Sequence, residues 1–184
     1  VNAHRNEHDA EITTNGELAL MKKLLPRAQV VFDVGANIGD WTNLALKVNR
    51  KLAIHCFEPS PATYNVLKSN VPASSSVLLN NLALSSAPGA LEMFAYADGS
   101  PINSLYARSS TSVTPHKQMI TTQTLDNYCA DKEIQVIDLL KIDVEGHEFE
   151  VLKGAEKMLA SESIKFIQFE YGGTYIDAHV FLKD

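Results

Sequence analysis

The chain has 184 residues, which is long enough for one domain with its own hydrophobic core. Hydrophobic residues make up 45% of it and charged residues 21%, proportions that are ordinary for a globular protein. The formal net charge of −6 argues against non-specific binding to nucleic acid or to an anionic membrane, which a basic surface would drive.

Cysteine usage and the first residues of the chain indicate a cytoplasmic protein. Its two cysteines are too few for a disulfide framework, and Cys56 lies in an apolar stretch, as a small buried hydrophobe in a reducing compartment would. The polar stretch 1–13 lacks the apolar segment of a secretion signal, and no apolar run approaches the ~18 residues of a membrane span. We predict a polar tail over residues 1–13 and one domain over residues 14–184.

The first predicted helix follows a capping motif. Thr14 and Glu17 have the spacing of a capping box, in which Thr14 caps the helix and Glu17 reaches back to it. Leu18, Met21 and Leu25 then fall on one face before a proline ends the helix. We expect this helix to pack on the sheet beside a ligand cleft.

The segment 30–48 predicts a strand, a glycine turn and a helix. An apolar run leads into Asp33, as in a strand that is buried on both faces, and Gly35 and Gly39 then interrupt the pattern. Such a turn brings backbone amides close to a ligand at a helix amino end, although the glycines could serve the turn alone. Glu58 ends the next strand 19 positions after Gly39, a spacing that suits a carboxylate binding both hydroxyls of a ribose.

The rest of the chain continues to alternate strands and helices. Ser60 and Pro61 are typical of a helix start. Residues 100–117, rich in Ser, Thr and Pro, predict a long loop over the cleft. The predicted strands after Glu58 are Val77–Leu84, Leu91–Ala97, Met119–Thr124, Ile137–Val144 and Ile164–Phe169, and the predicted helices begin near Pro61, Leu125, Phe149 and Tyr175.

This alternation predicts an α/β fold with a doubly wound, mostly parallel sheet. In such sheets the ligand lies outside the carboxyl ends of the strands, where the strand order reverses. Polar residues end five of the predicted strands and should therefore surround a single site; they are Asp33, Glu58, Asn81, Asp143 and Glu170.

Three segments carry a resemblance to a known family. Residues 32–39 (FDVGANIG), 57–59 (FEP) and 140–148 (LKIDVEGHE) resemble the FkbM family of S-adenosylmethionine-dependent methyltransferases. Residues 151–155 (VLKGA), 103–105 (NSL) and 124–126 (TLD) extend the resemblance, which covers roughly residues 16–170. It implies the Rossmann-like sheet of class I methyltransferases. It also implies O-methylation of a small-molecule or glycan hydroxyl.

The resemblance also implies roles for individual residues. Those of the glycine turn would line the methionine part of S-adenosylmethionine, Glu58 with Pro59 would bind its ribose, and Asp143 would lie near the sulfonium. Glu145 and His147 would face the acceptor. The implied cofactor-binding residues are Asp33, Gly35, Ala36, Asn37, Gly39, Glu58, Pro59, Asn81, Leu82, Ala83 and Asp143.

A general base would help an acceptor hydroxyl to lose its proton. His147 is the first candidate because an imidazole titrates near neutrality, Glu145 is the second and Asp143 the third. His147 could instead simply begin the next helix, half exposed. Lys141 could pair with a strand-end carboxylate or extend to the surface. No metal site is predicted, although Asp143, Glu145 and Glu170 would be ligands for a hard cation.

Two other functions compete with methyl transfer. A nicotinamide-dependent oxidoreductase would also use an acidic residue at the second strand end. The turn lacks G-x-G-x-x-G, however, and Asp33 would repel a pyrophosphate but attract a cationic sulfonium. A non-catalytic cofactor-binding module is the third hypothesis.

Class I methyltransferases carry two further strands after the fifth, so we expect that this chain lacks the C-terminal strands of its fold.

Overall fold

The computed structural model of the chain describes residues 12–95, 114 and 116–169. The predicted helix near Tyr175, Glu170 and most of the predicted loop 100–117 lie outside these residues. The strands are β1 (Val30–Val34), β2 (Ala53–Phe57), β3 (Val77–Asn80), β4 (Ala83–Leu84), β5 (Gly89–Ala95), β6 (His116–Gln123), β7 (Leu139–Ile142) and β8 (Ile167–Phe169). The helices are α1 (Glu17–Leu24), α2 (Asp40–Val48), α3 (Pro61–Asn70), α4 (Leu125–Asp131), α5 (Glu148–Lys153) and α6 (Glu156–Ala160), with a 3₁₀ turn at Leu25–Arg27.

Five strands form a parallel sheet in the order β3-β2-β1-β7-β8. The order runs outward from β1 in both directions, so β1 and β7 flank the point where it reverses. This topology confirms the predicted doubly wound parallel sheet. In sheets of this kind, ligands bind outside the carboxyl ends of the strands where the order reverses.

Hydrophobic clusters cover both faces of the parallel sheet. On one face Met21 of α1, Trp41 of α2 and Leu67 of α3 are buried in one cluster. On the other, Tyr128 of α4 and Val151 of α5 are buried in a second cluster, together with Phe32, Phe57 and Met158. Burial on both faces explains why β1 and β7 are apolar along nearly their whole length.

A second, three-stranded sheet has the order β4-β6-β5, with β5 antiparallel to β6. It has its own small buried cluster of Ala83, Met93, Ala95 and Ile120. The predicted single strand Val77–Leu84 is therefore wrong, because β3 stays in the parallel sheet whereas β4 joins the second one. Asn81 lies at the division, and its side-chain amide bonds back to the carbonyls of Glu58 and Pro59 at 2.9 and 3.0 Å.

The helix ends confirm one of the two predicted N-caps. Ser60 caps α3, as predicted, by accepting a hydrogen bond from the Thr63 amide at 3.4 Å. The predicted capping box at Thr14 is wrong: Gly16 is the N-cap of α1, with φ of 100°, and Asn15 Oδ1 accepts from the Glu17 amide at 2.9 Å. The helix predicted after residue 146 is divided into α5 and α6 beside Gly154.

Strand β8 forms one edge of the parallel sheet within the described residues, and apolar side chains near it are exposed. Phe166 is 51% and Phe169 is 42% accessible to solvent.

Among the helices of the described ranges, none has both the length and the apolar character needed to cross a membrane.

Candidate active site

The carboxyl ends of β1, β2, β3 and β7 meet at one edge of the parallel sheet, where the predicted site residues come together. The backbone of Gly35 packs so closely on the end of β7 that a Cβ atom at this position would collide with the Asp143 carbonyl oxygen. Asn37 bonds to Glu58, and Glu58 in turn bonds to Asn81 through its backbone carbonyl. Asp33, Glu58 and Asp143 therefore share one rim, as the sequence predicted.

Most backbone amides of the glycine turn between β1 and α2 already donate hydrogen bonds to other groups of the protein. The amides of Gly35 and Ala36 both donate to the Phe57 carbonyl at 3.0 Å, and the Gly39 amide donates to the Ala36 carbonyl at 2.9 Å. The Asn37 amide donates to Glu58 Oε2 at 3.1 Å. Gly35 and Gly39 have φ of 79° and 95°, which glycine adopts readily. The expectation that this turn offers its amides to a ligand is wrong for these four groups.

Glu58 is buried at the rim, with only 8% of its surface exposed. Its Oε1 accepts from the Ser60 amide at 2.9 Å and its Oε2 from the Asn37 amide. A carboxylate has about four acceptor positions, so each oxygen can accept one more hydrogen bond. Burial raises the pKa of Glu58 to about 7, although the two amides and Lys141 act in the opposite direction.

Asp33 is completely buried and both of its oxygens contact other side chains. Thr42 donates its hydroxyl to Oδ2 at 2.6 Å, and Lys141 Nζ lies 3.0 Å from Oδ1. With no exposed surface, the Asp33 carboxylate is placed to hold Lys141 and Thr42 rather than to touch a ligand. Its predicted contribution to cofactor binding would therefore be indirect.

Lys141 projects from β7 into the same group of residues and is also buried. Its ammonium contacts Asp33 Oδ1, the Gly35 carbonyl at 3.1 Å and Asp143 Oδ2 at 3.4 Å. Burial by itself lowers the pKa of Lys141, but the charges of Asp33 and Asp143 outweigh it and raise the pKa. Of the two interpretations considered from the sequence, pairing with strand-end carboxylates is confirmed.

The segment 143–147 turns sharply from β7 into α5, and a buried carboxylate shapes it. Glu145 and Gly146 have φ of 56° and 102°. Glu148 is 2% exposed, and its two oxygens accept from the amides of Val144 at 3.0 Å and Gly146 at 2.9 Å. From the sequence, Glu148 was identified only as the last residue of the segment 140–148, and this role was missed. Its position two residues after a glycine was the available signal.

His147 lies at the start of α5 and is 6% exposed, so the half-exposed alternative is wrong. Its Nε2 lies 3.0 Å from the hydroxyl of Ser85, just after β4. Burial lowers the pKa of His147 to about 4, so its imidazole is neutral at pH 7. Gly154 at the other end of α5 packs on the Ser85 carbonyl, where a Cβ atom would collide. The sequence gave no signal for Ser85.

The remaining predicted residues border Glu58. Asn81 bonds to the carbonyls of Glu58 and Pro59, and Leu82 and Ala83 follow it, Ala83 being buried. Asp143 and Glu145 are partly exposed at the end of β7. In the parts of the chain that the structure covers, no three His, Cys, Asp or Glu side chains are grouped as metal ligands. Glu170, the third possible cation ligand, lies outside those parts.

Known proteins resemble this chain in sequence. A family profile described as "Methyltransferase FkbM domain" matches residues 33–182. Hexuronic acid methyltransferase AglP of Haloferax volcanii is 31% identical over 163 residues, covering 85% of this chain and 64% of AglP. 2-O-methyltransferase NoeI of Sinorhizobium fredii is 25% identical over 155 residues, covering 77% of this chain and 63% of NoeI. The chain thus spans slightly less than two thirds of these relatives.

Among solved structures, the crystal structure of methyltransferase FkbM from Methylobacillus flagellatus aligns with a TM-score of 0.48 and 15% sequence identity. The alignment covers 73% of this chain and 30% of that one.

Proposed function

Because the chain belongs to the FkbM methyltransferase family, we propose that it binds S-adenosylmethionine and methylates a hydroxyl group of a sugar or natural product. One observation carries the proposal: the Glu58 carboxylate lies at the rim of the sheet with one acceptor position left on each oxygen. Two neighbouring ribose hydroxyls would fill these positions.

The other rim residues fit the rest of the donor. Asn81, Leu82 and Ala83 lie next to Glu58 and would border the adenine, while Gly35, Ala36, Asn37 and Gly39 would line the methionine part. The bound donor supplies a methyl carbon that is already electrophilic, because a neutral thioether leaves from it. The protein is therefore left with binding, orientation and proton removal.

Charge and hydrogen bonding favour this donor over a nicotinamide dinucleotide. The ion-paired group of Asp33, Asp143 and Lys141 has two carboxylates to one ammonium, which suits a cationic ligand. A pyrophosphate would need donors, but the amides of Gly35 and Ala36 are already used by Phe57.

The acceptor hydroxyl must lose its proton as the new bond forms, and we propose that a group between Asp143 and His147 accepts it. Glu145 and Asp143 are partly exposed at the rim, whereas His147 is buried against Ser85. The imidazole of His147 is neutral, as a base must be, but burial lowers its pKa to about 4, which makes it a weaker base than an imidazole that titrates near neutrality. Asp143 also contacts Lys141, so its carboxylate has a second role.

The relatives suggest the class of acceptor. AglP is named for a hexuronic acid, which is a sugar acid, and NoeI is named for methyl transfer to a 2-O position. We therefore propose a glycan or other small molecule with a free hydroxyl as the acceptor. Cys56 and Cys129 are both buried and unpaired, which supports a cytoplasmic location.

Calorimetry of the full chain with S-adenosylhomocysteine and with NAD tests the donor. We expect S-adenosylhomocysteine to bind and NAD not to bind. Glu58→Ala should weaken the binding by more than about 10-fold, since hydrogen bonds to a charged group are lost. Glu92→Ala is the matched control, because Glu92 is an exposed carboxylate that pairs with Lys117 on the second sheet. Tight binding of NAD without S-adenosylhomocysteine would overturn the proposal.

A methyl-transfer assay tests the reaction. Radiolabelled S-adenosylmethionine is incubated with uronic acids, neutral glycosides and polyketide alcohols, and label transferred to the acceptor is counted. Transfer to a hydroxyl supports an O-methyltransferase. Donor binding without transfer to any of these acceptors supports the non-catalytic cofactor-binding module instead.

A further inference from the structure

We propose that Lys141 is a positioning residue, which holds the glycine turn and the Asp143 end of β7 at the spacing that donor binding requires. The alternative is that Lys141 only neutralises the buried charge of Asp33. This inference rests on the proposed function, because it concerns the site that would bind S-adenosylmethionine.

The ammonium of Lys141 joins two strand ends rather than one pair of charges. Two of its contacts, with Asp33 Oδ1 and the Gly35 carbonyl, belong to the end of β1, and the third, with Asp143 Oδ2, belongs to the end of β7. An ammonium has three donors, and three acceptors surround this one. All three contacts are with groups of the protein and Lys141 is buried, so we infer that Lys141 acts on the site through these groups.

The register of the sheet explains why Lys141 reaches this point. Lys141 lies directly opposite Asp33 in the β1–β7 ladder, so a cross-strand pair alone would neutralise Asp33. The ladder ends at Val34 and Ile142, followed by a single hydrogen bond from the Asp143 amide to the Val34 carbonyl. The Gly35 carbonyl and the Asp143 side chain lie beyond that end. Lys141 therefore links the two chains where backbone pairing stops.

Both linked groups belong to the proposed ligand rim. Gly35 begins the turn that would line the methionine part of the donor, and it packs on the Asp143 carbonyl with no space for a side chain. Asp143 is partly exposed and would face the sulfonium. Without the ammonium, the Asp143 carboxylate and the Gly35 carbonyl would lose the contact that fixes their separation.

A double-mutant cycle on Lys141 and Asp143 separates the two roles. Lys141→Met, Asp143→Asn and the double variant are made in the full chain, and S-adenosylhomocysteine affinity is measured by calorimetry. We expect each single variant to bind S-adenosylhomocysteine about 10-fold more weakly, because a charged hydrogen bond is lost. The double variant should bind no more weakly than Asp143→Asn. The inference would be overturned if the two losses of affinity multiplied in the double variant. It would also be overturned if Lys141→Met bound S-adenosylhomocysteine within about 2-fold of wild type.

Removing Lys141 also leaves Asp33 buried without its counter-ion, which can unfold the chain. The cycle is therefore repeated in an Asp33→Asn background, where Lys141→Met leaves no unpaired charge at position 33, and each variant is compared with Asp33→Asn alone. A melting temperature restored by Asp33→Asn while binding stays weak supports the positioning role. If Asp33→Asn restored both the melting temperature and the affinity for S-adenosylhomocysteine, Lys141 would be only a counter-ion.

Lys165→Met is the matched control, because Lys165 pairs with Asp138 at 2.6 Å, away from the rim residues. It should leave the affinity for S-adenosylhomocysteine unchanged. Failure of the wild-type chain to bind S-adenosylhomocysteine would refute the proposed function itself, and so it is distinguishable from failure of this inference.

Discussion

Glu58 should make donor binding depend on pH, and Glu58→Gln should remove that dependence. In the ligand-free chain, burial raises the pKa of Glu58 to about 7, so a large fraction of the carboxyl is protonated at neutral pH. Two ribose hydroxyls that donate to its oxygens would stabilise the ionised form. Binding would therefore release a proton, and affinity should rise as the pH rises through 7.

The size of the effect follows from the ionised fraction. With a pKa of about 7, the carboxylate is about 90% ionised at pH 8 and about 10% ionised at pH 6. If only the ionised form binds the ribose, affinity falls about 10-fold between these values, or about 1.4 kcal/mol. Asp33 and Lys141, the charged side chains that influence Glu58, are paired with each other at 3.0 Å.

Calorimetry with S-adenosylhomocysteine at pH 6, 7 and 8 in buffers of different ionisation enthalpy measures both the affinity and the proton released. Glu58→Gln should bind more weakly and show no release from this site, whereas the titration of the ligand's own amino group is common to both proteins. An affinity of the wild-type chain that is flat from pH 6 to pH 8, or a pH dependence retained in Glu58→Gln, would refute the reasoning.

Three further predictions concern the turn and the buried histidines. His147→Ala should lower turnover by about 10²–10⁴-fold if His147 is the base, with donor affinity nearly unchanged; Glu145→Gln is compared in the same assay, and turnover that survives in either variant excludes that residue. Glu148→Gln should destabilise the chain by about 1–3 kcal/mol, because one of two buried amides loses its acceptor, and an unchanged melting temperature would contradict this. His55 should make the chain sensitive to acid, because burial lowers its pKa from 6.5 to about 4, with Lys132 contributing. The unfolded chain then binds the proton first, so stability is complete above pH 6.5 and falls as the pH decreases towards 4, by up to about 3 kcal/mol. Urea unfolding at pH 7.5 and 5 should show a smaller fall for His55→Gln, and an equal fall would disprove the assignment.

The parallel sheet was predictable because the apolar composition of its strands indicates that they are buried on both faces. The apolar runs that became β1 and β7 are buried on both faces, which requires helices on both sides and hence the doubly wound order. Asp33, Glu58 and Asp143 each end such a run, so the shared edge followed from topology alone. These signals are local in sequence and strong.

The second sheet and the links within the site were not predictable in the same way. The division between β3 and β4 depends on Asn81 reaching back to Glu58 and Pro59, a contact that no apolar pattern encodes. Lys141 and the Gly35 carbonyl are separated by 106 positions, and so the sequence alone could not choose between pairing and exposure. Thr14 and Asn15 are both good capping residues, and propensity alone could not show that the N-cap of α1 is the glycine that follows them.

The contact between Gly154 and the Ser85 carbonyl offers a way to adjust this protein at a distance from its ligands. Two main chains touch there, and a side chain as small as alanine would act as a wedge between the second sheet and α5. The same helix follows the turn 143–147, so the displacement would also reach that turn, which holds the candidates for the base. Directed evolution that favours new acceptors would therefore find substitutions at position 154 effective, although Gly154 is buried against the backbone of Ser85 and not at the rim.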